Sequence, residues 1–76
     1  MHPILLRLMT KQDLLTRAER YAKKAKLTLS TVSGKILLDG SRLREIKEGG
    51  RIFPETLEAA FERLEKLERE HEERVQ

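Results

Sequence analysis

The fold is decided between residues 22 and 40, where the sequence reads AKKAKLTLSTVSGKILLDG. The start of this stretch continues an upstream apolar spacing of about 3.6 residues, which is typical of one helix face; its members are Leu14, Ala18, Tyr21, Ala22 and Ala25. Leu27 and Leu29 break that spacing. Ser30 is a good N-cap for a second, short helix, because its hydroxyl can accept from an early backbone N–H. The stretch therefore predicts a helix, a tight turn and a helix.

The second helix is predicted to have a packed side and an outward side. Val32 and Ile36 are four residues apart, so both can pack against the first helix. The residues between them are small, polar or basic and are expected to point outward, which suits a helix that enters a DNA groove; they are Thr31, Ser33, Gly34 and Lys35. An internal glycine costs a helix about 1 kcal/mol relative to alanine. We interpret Gly34 as a point of close approach to another backbone, of protein or DNA; a short helix that starts or bends there is the alternative.

These residues resemble the helix-turn-helix of the phage-repressor-like (Xre/Cro-type) DNA-binding family, and the resemblance covers about residues 10–64. Ala22 matches the small residue of the family's first helix, and Leu27 matches the apolar residue that closes the turn. Thr28 and Ser30 match two hydroxyl residues, and Thr31 and Val32 match the Thr-Val pair of the second helix. The chain departs from the family pattern at Lys26, where Gly is usual, and at Lys35, where an apolar residue is usual.

The resemblance implies a regulator of transcription that binds double-stranded DNA sequence-specifically, with its second helix in the major groove. The residues then expected at base edges are Thr31, Ser33 and Lys35. The residues expected at backbone phosphates are Lys23, Lys24, Lys26, Thr28, Ser30, Arg42 and Arg44. Neither the target sequence nor the sense of regulation, activation or repression, follows from the chain.

The basic residues are concentrated where this helix-turn-helix is predicted. Residues 1–53 hold twelve Lys and Arg against five Asp and Glu, a net charge of +7, whereas residues 54–76 hold four against eight, a net charge of −4. A basic body with an acidic tail helix is expected if one end of the molecule meets phosphate. The alternative is that these surface charges only keep the protein in solution.

The remaining elements predict an all-α domain of four or five helices over residues 1–76, with the helix-turn-helix at about residues 10–40. Thr10 and Asp13 form an approximate capping box before the first helix. Asp39-Gly40-Ser41 is expected to end the second helix, with Gly40 left-handed and Ser41 capping a third helix over residues 42–48. Gly49-Gly50 then ends that third helix. Residues 1–9 are either a short helix or an extended arm.

Pro54 opens a long last helix over about residues 54–74, because proline is tolerated at the first helical position. Its apolar stripe consists of Leu57, Ala60, Phe61, Leu64 and Leu67. A monomer core does not need all of the apolar residues at 4–9 and on the outer stripe of the last helix, so we expect a homodimer built on one or both of these features, with Ile4, Leu5, Leu8, Leu64 and Leu67 at the interface. The alternatives are that the last helix covers residues 1–9 and that this helix ends in a frayed, charged tail.

Enzymatic, cofactor and metal chemistry is not indicated. The chain has no cysteine, its two histidines, His2 and His71, lie at opposite ends, and no histidine stands near Ser30 to activate it. Phe53 and Phe61 are expected to be buried, which disfavours a protein that stacks single-stranded bases. The apolar run at residues 4–9 is too short to span a membrane and lacks the layout of a signal peptide, so we expect a cytoplasmic protein. The alternative function is a helical protein-interaction module, adaptor or antitoxin-like; another regulator or RNA polymerase is a further candidate partner.

Overall fold

The computed structural model describes residues 10–75, and within them the chain is all-α. It forms α1 (Lys11–Ala25), α2 (Leu29–Ile36), α3 (Arg42–Lys47) and α4 (Pro54–Val75). The predicted all-α class with four helices is confirmed for these residues. The helix or arm predicted for residues 1–9 lies outside the described residues.

The two ends of α1 are set by local hydrogen bonds. The Thr10 hydroxyl accepts from the Asp13 backbone N–H at 3.2 Å, and the Asp13 carboxylate accepts from the Thr10 N–H at 3.4 Å, so the predicted capping box is confirmed. At the other end, Lys26 is left-handed with φ 58°, and its N–H donates to the carbonyls of Ala22 and Lys23. A lysine thus adopts the conformation that glycine usually provides at a helix C-terminus.

The boundaries of α2 differ from those predicted. Thr28, not Ser30, is the N-cap, because its hydroxyl accepts from the Thr31 N–H at 3.1 Å and the helix begins at Leu29. The helix ends at Ile36, and the left-handed residue that follows is Leu38, with φ 60°, not Gly40. Gly40 instead lies against Ser30, where an added β-carbon would be 3.0 Å from the Ser30 hydroxyl oxygen.

All four helices contribute to one hydrophobic core. Both α1 and α2 pack against every other helix, whereas α3 and α4 are not in contact with each other. The predicted apolar faces supply the core, which consists of Leu14, Leu15, Ala18, Tyr21, Ala22, Val32, Ile36, Leu43, Ile46, Ala60, Phe61 and Leu64. None of the helices within residues 10–75 has the length and apolar composition that crossing a membrane requires.

Two side chains take places in this fold that differ from the expectation. Leu64 is fully buried within a single chain, so its predicted role in a dimer interface is wrong, while Leu67 is half-buried against the same core. Phe61 is buried as expected, but Phe53 is 77% exposed. Phe53 precedes the first residue of α4 and therefore lies off the apolar stripe of that helix.

Polar contacts fix α4 on the other helices. The carboxylate of Glu68 pairs with the guanidinium of Arg17 on α1, and Arg63 donates to the Ile36 carbonyl at 3.1 Å. The second contact satisfies a carbonyl at the C-terminus of α2 that has no partner within its own helix. Together they hold α4 along α1 and across the end of α2.

Ser33 is buried, and its predicted outward orientation is wrong. It is three residues from Ile36 and so shares the inner face of α2 with it. Its hydroxyl donates to the Asp39 carbonyl and accepts from the Leu43 N–H at 3.0 Å. The first hydrogen bond connects α2 to the turn and the second connects α2 to the start of α3.

The turn before α3 is organised by Asp39. Its carboxylate accepts from the Ser41 backbone N–H and from the Ser41 hydroxyl, both at 2.9 Å. These hydrogen bonds lower the pKa of Asp39, the backbone one most strongly. Ser41 does occupy the N-cap position of α3, but its side chain makes no capping hydrogen bond because it is turned to Asp39.

At the end of α3, the predicted glycine pair is required by geometry. Gly49 has φ 108°, and a β-carbon on Gly50 would be 2.7 Å from the Glu45 carbonyl oxygen. The Gly50 carbonyl in turn accepts from the Lys11 side chain at 3.0 Å, which ties this turn to the start of α1.

Replacing Ser33 by alanine tests the role of its hydroxyl. Ser33→Ala leaves the Leu43 N–H and the Asp39 carbonyl without their partner, so we expect a loss of about 1–3 kcal/mol in the free energy of unfolding, measured by urea denaturation. The matched control is Ser30→Ala in the same helix, where the side chain is exposed and the change should stay within about 0.5 kcal/mol. Equal losses in both variants would show that Ser33 does not brace α3.

Candidate nucleic-acid interface

The outward face of α2 is formed by small polar residues and one lysine. Ser30, Thr31 and Lys35 are exposed, and Gly34 is half-buried. An added β-carbon on Gly34 would have no atom of residues 10–75 within 4 Å, so the expectation of a close approach to another protein backbone is wrong for this part of the chain. Close approach to DNA at Gly34 stays a prediction. Because most side chains on this face are small, another molecule can come close to the α2 backbone.

Thr28 and Thr31 retain one hydroxyl hydrogen for an outside partner. Their hydroxyls are hydrogen-bonded to each other at 2.9 Å, and the Thr28 oxygen also accepts from the Thr31 N–H. Each hydroxyl carries a single hydrogen, and one of the two is used between them. Either Thr28 or Thr31 can therefore donate to a phosphate or a base, but not both at once in this arrangement.

The predicted phosphate-binding cations lie on α1, in the turn after it and on α3, and Lys24 lines a groove between α1 and α4 together with Glu68 and Glu72. Lys23, Lys24 and Lys26 are exposed at the end of α1 and in the turn that follows. Arg44 is exposed on α3. Arg42 is different: its guanidinium pairs with Glu45 at 3.3 Å and donates to the Arg51 carbonyl. A phosphate contact by Arg42 stays a prediction that requires these contacts to open.

An open cleft of about 550 Å³ lies between the start of α2, the turn before α3 and α3 itself. It brings together two of the residues predicted to bind phosphate, Ser30 and Arg44, and its complete lining is Leu29, Ser30, Gly40, Ser41, Arg44 and Lys47. Lys47 was not among the predicted residues, although it stands three residues after Arg44 and so shares a face of α3 with it. The structure therefore places a hydroxyl and two cations around one opening, which we call the α2–α3 cleft.

Lys47 is held at the edge of this cleft by Glu19 of α1. The distance from the Lys47 Nζ to the Glu19 carboxylate is 2.8 Å, and both side chains are substantially exposed. This hydrogen bond raises the pKa of Lys47. Lys47 is therefore a cation at neutral pH, with part of its charge offset by Glu19.

Lys35 lies on the opposite flank of α2. It lines a groove of about 430 Å³ where α1, α2 and the end of α4 meet, together with Tyr21, Ala25, Leu27, Leu67, Glu70, His71 and Arg74. The rings of Tyr21 and His71 are in edge-to-face contact there, with centroids 6.0 Å apart. The predicted base contact of Lys35 would thus be made from the side of α2 that faces α1.

The other predicted residues fall outside this surface. Ser33 is buried and paired within the chain, so it cannot reach a base edge. Leu64 belongs to the core, and Ile4, Leu5 and Leu8 lie outside the described residues. Across residues 10–75, no three side chains of His, Asp or Glu come together as ligands for a metal ion.

Comparison of the chain with protein-family models, with curated proteins and with solved structures gave no significant match. The resemblance to the phage-repressor-like family therefore stays a prediction, and the functional argument depends on the geometry of α2 and its neighbours.

The open space at Gly34 has a consequence for stability. Gly34→Ala should raise the free energy of unfolding by about 0.5–1 kcal/mol, because alanine favours the helix and its methyl group meets no other atom of residues 10–75. Gly50→Ala is the matched control, and it should destabilise because its methyl group would clash with the Glu45 carbonyl. Chemical denaturation of the two variants measures both effects. Destabilisation by Gly34→Ala would mean that the chain itself closes over this position.

Proposed function

We propose that the protein is a small regulator of transcription that binds double-stranded DNA sequence-specifically. The outward face of α2 lies in the major groove, and cations of α1, the turn after it and α3 bind the sugar-phosphate backbone. One observation carries this proposal: α2 presents small polar residues and Lys35, no atom within residues 10–75 lies over Gly34, and Arg44 and Lys47 of α3 line the cleft beside α2.

This arrangement meets the physical requirements of groove binding. The major groove is about 12 Å wide and admits one helix, so bulky side chains on the outward face would keep the α2 backbone away from the bases. Gly34, Ser30 and Thr31 remove that obstacle. Phosphate contacts supply most of the affinity and fix the orientation of the protein, and the net charge of +7 over residues 1–53 provides them.

Base readout is assigned to Thr31 and Lys35. Lys35 can donate to O6 and N7 of guanine, and Thr31 can donate through the hydroxyl hydrogen that its pair with Thr28 leaves available. Ser33, which is buried, has no part in it. With eight residues, α2 is about 12 Å long, so one copy of the chain reads only a few base pairs.

The test is a mobility shift with random genomic fragments, followed by sequencing of the bound DNA and by salt titrations on the selected site. Lys24→Ala should weaken binding to all sequences about equally and reduce the salt slope by about 0.9, because one phosphate contact is lost. Lys35→Ala should cost roughly 1–3 kcal/mol at one base position and leave non-specific binding largely unchanged. Lys66→Ala, an exposed lysine on the acidic helix α4, is the control and should change neither quantity.

The possible outcomes separate the roles. Equal losses on cognate and random DNA would make Lys35 a phosphate ligand and not a base contact. An unchanged salt slope in Lys24→Ala would remove Lys24 from the interface. The wild-type protein failing to shift any duplex at low salt would contradict the proposed function.

We also propose that the chain acts as a homodimer, because a genome offers about 10⁶–10⁹ competing sites and one short helix discriminates poorly among them. Leu64 is excluded from such an interface, which leaves Ile4, Leu5, Leu8 and the half-buried Leu67. Light scattering at micromolar concentration should give about twice the chain mass of 8.9 kDa. Leu5→Glu should lower the measured mass to that of a single chain while the helical signal is retained. Leu64→Glu should instead reduce the helical signal, because it unfolds the core.

The second candidate, a helical protein-interaction module, is favoured by two exposed apolar side chains. Leu38 is 73% exposed and Phe53 is 77% exposed. Such side chains are common at protein interfaces, although isolated ones also occur on ordinary surfaces. The DNA-binding experiment separates the two candidates, because an interaction module has no need of the cations beside α2 and would show no salt-dependent affinity for duplex DNA.

A further inference from the structure

We propose that the α2–α3 cleft binds one phosphate of the DNA backbone through Ser30, Arg44 and Lys47, and that Glu19 holds Lys47 until this phosphate replaces it. The proposal rests on the proposed function for the source of the phosphate. It adds three features to that function: a defined phosphate site, Lys47 as a phosphate ligand that the sequence did not predict, and the carboxylate of Glu19 as a competitor of DNA for Lys47.

The lining of the cleft has the chemistry that a phosphodiester requires. Ser30, Arg44 and Lys47 are among the residues that line it, and hydrogen bonds between cationic groups and phosphate oxygens are among the strongest that proteins make. Gly40 contributes by its lack of a side chain, since a β-carbon there would be 3.0 Å from the Ser30 hydroxyl oxygen and would narrow the opening.

The carboxylates near the cleft are turned to other partners. Within the described chain, no acidic residue belongs to the lining. Glu45 pairs with the guanidinium of Arg42 and lies 3.4 Å from the Ser41 hydroxyl. Glu19 faces Lys47 from α1. Asp39 is hydrogen-bonded to the lining residue Ser41, and Glu19 is the carboxylate that pairs with a cation of the lining.

The pair between Glu19 and Lys47 can be exchanged for a phosphate. Their side chains are 43% and 60% exposed, so water reaches both charges. Exposed ion pairs of this kind are weak, and a phosphate oxygen can take the place of the carboxylate without stranding a buried charge. Because backbone phosphates are the same at every site, Glu19 lowers the affinity for all sequences alike and thereby limits non-specific binding.

A double-mutant cycle tests the exchange. The affinity of wild-type protein, Lys47→Gln, Glu19→Gln and the double variant for one duplex is measured over a range of salt concentrations. Lys47→Gln should reduce the salt slope by about 0.9. Glu19→Gln should raise affinity by about two- to fivefold, the factor expected from freeing an exposed cation, and this gain should disappear in the Lys47→Gln background. Lys66→Gln on α4 is the matched control for removing one exposed cation.

Two results would overturn the proposal. An unchanged salt slope in Lys47→Gln would show that no phosphate binds at Lys47. The same gain from Glu19→Gln in both backgrounds would show that Glu19 repels DNA generally and does not compete for Lys47.

A titration with inorganic phosphate separates this site from the proposed function. The backbone amide resonances of Ser30, Gly40 and Ser41 should shift on adding phosphate to the wild-type protein, and should not shift in a variant with both Arg44→Gln and Lys47→Gln. Such shifts in a protein that binds no duplex would support the anion site and contradict the DNA-binding function. If the protein binds duplex DNA, but phosphate shifts none of these resonances and Lys47→Gln leaves the salt slope unchanged, the DNA-binding function stands and the proposed phosphate site is wrong.

Discussion

The buried hydroxyl of Ser33 is the contact on which the arrangement of α2 and α3 depends. With six residues, α3 is too short to be stable on its own, and it has no contact with α4. Burial of Leu43 and Ile46 holds it against α1 and α2, but apolar contacts fix orientation loosely because they lack direction. The hydrogen bonds of Ser33 to the Asp39 carbonyl and the Leu43 N–H supply that direction. The width of the α2–α3 cleft, and hence the position of Arg44 relative to Ser30, follows from them.

The sequence predicted the helices well where one signal dominated. The 3.6-residue spacing placed the inner faces of α1 and α4, and the Thr10–Asp13 pair placed the start of α1. It failed where two residues offered the same chemistry: Thr28 and Ser30 are both good N-caps, and packing of α2 on its neighbours decides between them. Ser33 was predicted on the outward face of α2 because it is polar. Its position three residues before Ile36 indicates the inner face of α2, where the structure has it. A serine is small enough for the core when both of its hydrogen-bonding functions are paired inside it.

The sequence predicted several residues of the candidate site, but it did not predict how they are arranged relative to one another. Ser30 and Arg44 were each expected at phosphates, yet nothing in the sequence indicated that they share a cleft, since their proximity depends on a turn in which Leu38 takes the left-handed conformation. That conformation is unfavourable for a residue with a β-carbon and was expected at Gly40. Gly40 lies instead close to Ser30, whose hydroxyl would have to shift to admit a β-carbon. The sequence pattern alone does not distinguish a glycine that supplies backbone freedom from one that supplies space.

Three residues in or next to α2 are locally unfavourable for stability, and packing within the fold accounts for only two of them. Left-handed Lys26 and Leu38 end α1 and α2, and both turns are needed to bring the helices together, so packing offsets their strain. Gly34 has no such compensation within the described residues, because it lies inside a helix and a β-carbon there would contact none of their atoms. A residue that weakens its own helix and supports nothing within the described chain is understandable if another molecule approaches the helix there. The charge distribution, with cations on α1 and α3 and the acidic residues concentrated in α4, independently favours a polyanion as that molecule.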